Sequence, residues 1–311
     1  RRMPNEAVFG GYVTETYLQG KYPSDINEDQ LWINASVCPN DALIKDILSL
    51  EMNEGLFDEQ EHIIAFRSGN FKDSVDCQKS YTDVAFTHVQ NLWDIFSKNA
   101  IELEADFELI TRGRTSQKAN ATNNILGEEN LFIEEGAVLN CTIINASNGP
   151  VYIGKDAEVM EGSIIRGPFA LCEASQTKLG AKIYGPTTVG PNSKVGGELN
   201  NVVIFGYSNK GHDGFLGNSV LGEWCNIGAD SNNSNLKNNY AEVRLWNYAS
   251  GRFAHTGLQF CGLIMADHSK CGINTMFNTG TVVGVCSNIF GTGFPRNFIP
   301  SFSWGGPQGQ S

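Results

Sequence analysis

The stretch Val151–Val195, VYIGKDAEVMEGSIIRGPFALCEASQTKLGAKIYGPTTVGPNSKV, repeats with a period of six residues. The positions six apart hold Ile153, Val159, Ile165, Leu171, Thr177, Ile183, Val189 and Val195. An α-helix repeats its apolar residues roughly every three to four positions and a half-buried strand every two, so neither explains this period. A six-residue period is typical of a parallel β-helix, in which each short strand and turn sends one aliphatic side chain into a narrow prism.

The same spacing resumes in two later parts of the chain. Its members there are Phe215, Leu221 and Ile227, and then Met265, Cys271, Phe277, Val283 and Ile289. One interruption lies between Val195 and Phe215, and a longer, polar one covers about residues 230–259. Insertions in repeat proteins usually become loops on one face, often the binding face. We therefore expect a β-helix over about residues 125–290, with its functional residues near the two interruptions.

Residues 1–122 lack this repeat and show a mixed pattern of strands and helices. Leu31–Ser36 is typical of a strand, and Asp41 is placed to cap the helix that follows. The polar segment Thr111–Asn124 indicates a linker. The sequence thus predicts a mainly β protein in two parts: a partial α/β domain with its linker over residues 1–122, and a β-helix over residues 123–304.

Composition excludes several classes of partner. The net charge of −12 over 311 residues argues against nucleic acid, because phosphate binding needs clustered Lys and Arg. No apolar run is long enough for a membrane span. The eight cysteines form no CxxC pair, which favours free thiols in a cytoplasmic protein. His255 and His268 lack the spacing of a metal site and His62 and His88 are interpreted as structural, so we expect no metal ligands.

The most informative non-repetitive stretch is Gly197–Asp230, GELNNVVIFGYSNKGHDGFLGNSVLGEWCNIGAD. It places His212 in a glycine-rich turn within the first interruption. Imidazole titrates near neutral pH, so it suits a general base that deprotonates an amine or a hydroxyl. A histidine at the surface or in a cap is the alternative interpretation from spacing alone.

Four blocks of this region carry a family resemblance. They are Gly197–Asn200 (GELN), Gly211–Asn218 (GHDGFLGN), Asn226–Asp230 (NIGAD) and Ser234–Leu236 (SNL). Their order and spacing resemble the acetyltransferase half of the bifunctional N-acetylglucosamine-1-phosphate uridylyltransferase/glucosamine-1-phosphate acetyltransferase family, and in particular its Bacteroidetes-type variant. The resemblance covers about residues 30–304 and is strongest over residues 180–300. It implies a left-handed β-helix, acetyl-CoA as acyl donor, and a homotrimer with sites between subunits.

The resemblance also implies roles for individual residues. His212 matches the general base that takes a proton from the amino group of glucosamine 1-phosphate. Glu198, Asn226 and Asn235 match residues that line the sugar pocket. Lys182, sixteen residues before Glu198, falls where the family has a phosphate-binding Arg. Lys supplies the charge without the bidentate fork of Arg.

Two further positions depart from the family pattern, and they favour an acyltransferase with another donor or acceptor. Asn200 replaces a Lys, and Phe215 replaces a Tyr whose hydroxyl would meet the substrate. Both changes remove polar contacts from the site. Lys210, two residues before His212, is a candidate to restore a phosphate contact.

Three functions stay open at the level of sequence. The first is acetyl transfer to an amino-sugar 1-phosphate, coupled to uridylyl transfer that makes UDP-N-acetylglucosamine. The second is a sugar-1-phosphate nucleotidyltransferase whose β-helix is only a trimerisation and regulatory module, and the third is an acyltransferase with another donor or acceptor. The family's uridylyltransferase half uses UTP and Mg²⁺ and a glycine-rich loop that this sequence lacks, so we expect that loop in a segment before Arg1 or a first domain that is inactive.

Overall fold

The computed structural model describes residues 10–23, 29–71 and 76–310. The chain divides into two compact units, residues 1–90 and 91–311. This boundary differs from the one drawn after residue 122, because the helices between residues 94 and 111 pack with the repeat that follows them. No described helix has the length and apolar character that crossing a membrane requires.

A small α/β arrangement forms the N-terminal unit. Its described strands and α-helix are β1 (Gln30–Ile33), β2 (Val37–Cys38), α1 (Asp41–Leu48), β3 (Glu54–Phe57), β4 (Ile63–Ser68), β5 (Gln78–Tyr81) and β6 (Thr87–His88). The sheet order is β1-β4-β3-β5, with only β3 and β5 parallel, while β2 and β6 form a separate antiparallel pair. The cap of α1 is Asn40 and not Asp41, since the Asn40 side chain accepts a hydrogen bond from the Leu43 N–H at 2.9 Å.

Two helices open the C-terminal unit, α2 (Asp94–Ser97) and α3 (Asn99–Thr111). A parallel β-helix with three faces follows, as the six-residue period predicts. Face 1 comprises β7 (Asn124–Leu126), β10 (Ile143–Asn145), β13 (Ile164–Arg166), β16 (Lys182–Tyr184), the first halves of β19 (Glu198–Ile204) and β21 (Phe215–Leu221), and then β23 (Asn232–Asn233) and β28 (Met276–Phe277).

The other two faces complete each coil. Face 2 comprises β8 (Leu131–Ile133), β11 (Val151–Ile153), β14 (Phe169–Leu171), β17 (Thr187–Val189), the second halves of β19 and β21, β26 (Leu263–Met265), β29 (Thr281–Val283) and β31 (Phe298–Ile299). Face 3 comprises β9 (Val138–Leu139), β12 (Glu158–Val159), β15 (Gln176–Thr177), β18 (Lys194–Val195), β20 (Asn209–Lys210), β22 (Asn226–Ile227), β27 (Lys270–Cys271), β30 (Asn288–Ile289), β32 (Trp304–Gly306) and the antiparallel β33 (Gly309–Gln310).

The repeat positions of Val151–Val195 form the interior of the prism. All eight are buried, and the polar member, Thr177, forms a hydrogen bond with the Ser163 hydroxyl at 3.1 Å. The later members Leu221, Ile227, Met265 and Cys271 are buried as well. The prediction of a mainly β fold with a parallel β-helix is therefore confirmed.

The first interruption is a shortening of the coil, where an insertion was expected. Successive coils on face 1 pair Ile165 with Ile183, then Ile183 with Leu199, then Leu199 with Leu216, so the coil shrinks from eighteen residues to sixteen and seventeen. The assignment of Phe215 to the interior was wrong, because Leu216 is buried there and Phe215 is half-buried on the outer side. No loop projects at this point, since β19 continues across the corner.

The second interruption is a true excursion. It carries the hairpin of β24 (Arg244–Asn247) and β25 (Arg252–His255). Val243 and Leu245 are buried against the outer side chains of face 2 together with Phe96 of α2. Helices and hairpin thus cover face 2, while outward residues of face 1 such as Ile164 remain exposed, at 46%.

Candidate functional site

Three of the expected site residues form a row on the outer side of face 1. Lys182 of β16 is in register with Glu198 of β19, and Glu198 is in register with Phe215 of β21. Neighbouring strands lie about 4.8 Å apart, so a cation, a carboxylate and an aromatic ring follow one another along the surface. Lys182 is exposed, and the other two are half-buried.

A second row runs parallel to the first, two residues further along each strand. It consists of Tyr184, Asn200 and Gly217. A Cβ atom on Gly217 would lie 2.4 Å from the Phe215 ring and 2.8 Å from the Asn235 amide nitrogen, so glycine alone lets both side chains lie over this backbone. Asn235 donates to the Asn218 side chain at 2.8 Å, which fixes its amide beside Phe215.

His212 lies in the turn that leads into Phe215 of the first row. This turn ends at Gly214, whose carbonyl accepts a hydrogen bond from the Glu198 N–H at 3.1 Å, and whose φ of +119° and close approach to Ser231 require glycine. The His212 ring is exposed and makes no hydrogen bond to another described side chain. His212 therefore lies two residues before the backbone contact with Glu198, and its exposed ring is open to a substrate.

Lys210 occupies an interior position that the repeat normally gives to an aliphatic residue, and it is 1% exposed. Its amine donates to the Gly196 carbonyl at 2.9 Å and to the His212 carbonyl at 2.5 Å. The phosphate contact expected of Lys210 does not follow from this geometry, because the amine points into the prism. Burial lowers the pKa of Lys210 to about 8, although the Asp213 and Asp230 carboxylates act in the opposite direction.

Asn226 lies apart from these rows. It belongs to face 3, where its side-chain oxygen accepts a hydrogen bond from Asn209 at 3.0 Å. The sequence also missed Tyr184, which is 42% exposed at the end of the second row. Strand alternation could have predicted Tyr184, because it follows Lys182 by two residues and therefore lies on the same face of the strand.

Comparison with known proteins indicates the class of enzyme to which the chain is similar. Residues 6–115 match the model of the family described as sugar nucleotidyl transferase. A bifunctional sugar-1-phosphate nucleotidylyltransferase/acetyltransferase from Sulfurisphaera tokodaii is 26% identical over 144 residues, which is 46% of this chain and 35% of that protein. The chain thus spans about a third of the length of this relative. Both matches support a transferase.

A solved structure of an Arabidopsis UDP-N-acetylglucosamine acyltransferase is also similar, at 16% identity. The match covers 61% of this chain and 71% of that one, with a TM-score of 0.26. A likeness at this score carries no argument about the site. The narrower resemblance to the uridylyltransferase/acetyltransferase family therefore stays a prediction.

The buried amine of Lys210 predicts a pH-dependent stability. Between about pH 8 and 10.5 the unfolded chain retains a proton that the folded chain has released, so raising the pH stabilises the folded state. At about 1.4 kcal/mol for each tenfold change in proton concentration, the gain is up to about 3 kcal/mol. We expect the free energy of unfolding of the parent, measured in urea, to rise by this amount relative to Lys210→Met over that range. Lys194→Met, which removes an exposed lysine of face 3, is the control, and a Lys210→Met profile parallel to the parent would contradict the prediction.

Proposed function

We propose that the C-terminal unit transfers an acetyl group from acetyl-CoA to the amino group of an amino-sugar 1-phosphate, glucosamine 1-phosphate. The row of Lys182, Glu198 and Phe215, with His212 in the turn that leads into Phe215, carries this proposal. It offers a cation for a phosphate, a carboxylate for sugar hydroxyls, a ring surface for the sugar and a base for the amine. In this proposal the N-terminal unit belongs to the nucleotidyl transfer that makes UDP-N-acetylglucosamine.

The reaction needs a proton acceptor beside the attacking nitrogen. The His212 imidazole takes a proton from the amine as the nitrogen attacks the thioester carbonyl, and the carbonyl oxygen takes up negative charge. Backbone N–H groups of the coils are suited to stabilise that oxyanion, because their positions are fixed before the reaction. Collapse of the tetrahedral intermediate breaks the C–S bond, and the CoA thiolate leaves with a proton returned by the imidazolium.

Lys210 acts as a positioning residue in this mechanism. Its two hydrogen bonds join the His212 carbonyl to the Gly196 carbonyl of the preceding coil. The base is therefore held through its own backbone while its ring stays free to turn toward the amine. A misplaced base costs rate even when its chemistry is unchanged.

Removing the base should abolish most of the acetyl transfer. We expect His212→Ala to lower the turnover number by at least about a hundredfold, the usual contribution of a general base. The assay measures thiol release from acetyl-CoA in the presence of glucosamine 1-phosphate. His268→Ala, which removes another exposed histidine of the β-helix, should keep parent activity. Turnover like the parent's in His212→Ala would remove His212 from the mechanism.

The sugar phosphate should depend on Lys182. Loss of a hydrogen bond to a charged group costs about 1.5–3 kcal/mol, so Lys182→Ala should lower kcat/KM for glucosamine 1-phosphate by about 10- to 150-fold. Lys194→Ala is the matched control, because Lys194 is exposed on face 3. An unchanged kcat/KM in Lys182→Ala would place the phosphate elsewhere.

The working form is proposed to be a homotrimer with sites between subunits. Face 1 of one chain leaves His212 and exposed apolar side chains such as Ile164 uncovered, and a second chain packed there would exclude water from the site. Closed cyclic symmetry is the general expectation for homo-oligomers. Light scattering of the purified chain should give the mass of three chains, and the mass of one chain would contradict shared sites.

A second function keeps the β-helix without catalysis. In it the protein is a sugar-1-phosphate nucleotidyltransferase whose β-helix only mediates trimerisation and regulation, and the match of residues 6–115 to a sugar nucleotidyl transferase family supports this alternative. Mg²⁺ and UTP would serve the nucleotidyl transfer, and no described residue is assigned to bind them. Absence of thiol release from the parent, with nucleotidyl transfer present, would select this function.

A further inference from the structure

Three potential metal ligands meet in the N-terminal unit, away from the rows on face 1. Asp58 and His62 lie at the two ends of the turn between β3 and β4, and His88 lies on β6. Their ligand atoms all lie within 4.8 Å of one another. The sequence indicated only structural histidines here, because His62 and His88 are far apart in the chain and only the fold brings them together.

The ring of His88 is held in one tautomer by a chain of hydrogen bonds. Asn34 donates through its amide to the Ile63 carbonyl and accepts the Ser36 N–H, both at 3.0 Å, so the orientation of its amide is fixed. Ser36 must then donate its hydroxyl proton to the Asn34 oxygen at 2.7 Å, and toward His88 it can only accept. The proton of neutral His88 therefore sits on Nε2, which lies 2.9 Å from the Ser36 hydroxyl.

This tautomer leaves the lone pair of His88 on Nδ1, the nitrogen that faces the cluster. Metal-binding histidines are commonly oriented in this way, through a hydrogen bond from the other ring nitrogen. In this structure the Gln90 amide donates to His88 Nδ1 at 3.2 Å. Rotation of that amide would present its oxygen to the same place as a further ligand.

The two carboxylate oxygens of Asp58 have different partners: one binds backbone N–H groups of the turn, and the other faces the histidines. Oδ1 accepts the N–H groups of Gln60 and His62 at 2.9 and 2.8 Å and so closes the turn. Oδ2 lies 2.9 Å from His62 Nδ1. Burial raises the pKa of Asp58, but the hydrogen bonds from His62 and Gln60 outweigh it, so the pKa lies below its ordinary value and the carboxylate is ionised at neutral pH.

His62 Nδ1 has two neighbours that make opposite demands. Toward Asp58 Oδ2 it must donate a proton, whereas the Gln90 amide nitrogen at 3.5 Å approaches it as a donor. One ring nitrogen cannot do both, and the contact with Gln90 is at the limit of hydrogen-bond distance. A cation between the side chains removes the conflict, because Nδ1 and Oδ2 then both bind through lone pairs.

We propose that Asp58 Oδ2, His62 Nδ1 and His88 Nδ1 bind a first-row divalent cation, with Zn²⁺ as the best match. Two imidazoles and a carboxylate are characteristic zinc ligands, and Gln90 or water supplies the fourth position. Mg²⁺ does not fit, because it prefers oxygen ligands and gains little from two imidazoles. The site is therefore distinct from the Mg²⁺ expected for nucleotidyl transfer.

Calorimetric titration of the chelator-treated full chain with Zn²⁺ tests the proposal. The parent should bind one equivalent that excess Mg²⁺ does not displace, and His88→Gln should lose it. Ser36→Ala keeps every ligand but releases the His88 tautomer, so it should bind that equivalent about 10- to 100-fold more weakly. All eight cysteines remain in each variant, so zinc bound to thiols cancels in the comparison.

His255→Ala is the matched control. His255 also pairs with a carboxylate, Glu242, at 3.1 Å, but no second histidine belongs to that pair among the described residues. The His255→Ala variant should therefore bind Zn²⁺ with the same stoichiometry and affinity as the parent. If circular dichroism shows that His88→Gln is unfolded, His62→Gln replaces it, since the His62 side chain is 47% exposed. Absence of the equivalent in the parent, its persistence in a folded ligand variant, or its loss in His255→Ala would overturn the proposal.

Discussion

Backbone hydrogen bonds between successive coils set the position of every side chain on the β-helix. Each short strand pairs in parallel with the strand one coil before and one coil after it, so an inward residue lies directly over its predecessor. The interior is then a set of stacked columns of mostly aliphatic side chains. A coil cannot bury these residues alone, which is why the repeat must continue for the fold to be stable.

The same pairing builds the candidate site from residues far apart in sequence. Lys182, Glu198 and Phe215 become neighbours because their coils are stacked, and the alternation along each strand turns them outward. The coils shorten near residue 199, but strand pairing still aligns Leu199 and Leu216 with the interior. The same pairing aligns Glu198 and Phe215 with Lys182 on the outer side. Scaffold and site are thus two sides of one hydrogen-bonded sheet.

One polar residue inside the prism holds the turn that carries His212. Lys210 replaces an aliphatic residue, and its amine ties the carbonyl of His212 to the neighbouring coil. A buried amine destabilises the fold at neutral pH, because burial favours its neutral form. Such a local loss of stability is expected at functional sites, and the proposed function places one at this turn.

The sequence by itself determined the β-helix, because a six-residue period is a local pattern, and the block around His212 predicts the base from sequence alone. It misplaced Phe215 and expected a loop where the coil shortens, since spacing does not distinguish deletion from insertion. Tertiary structure decided which outward residues meet, that Lys210 points inward, and that Asp58, His62 and His88 converge. Each of these depends on strand register or on pairing between distant segments, and those contacts are set by packing and by backbone hydrogen bonds that no local pattern encodes.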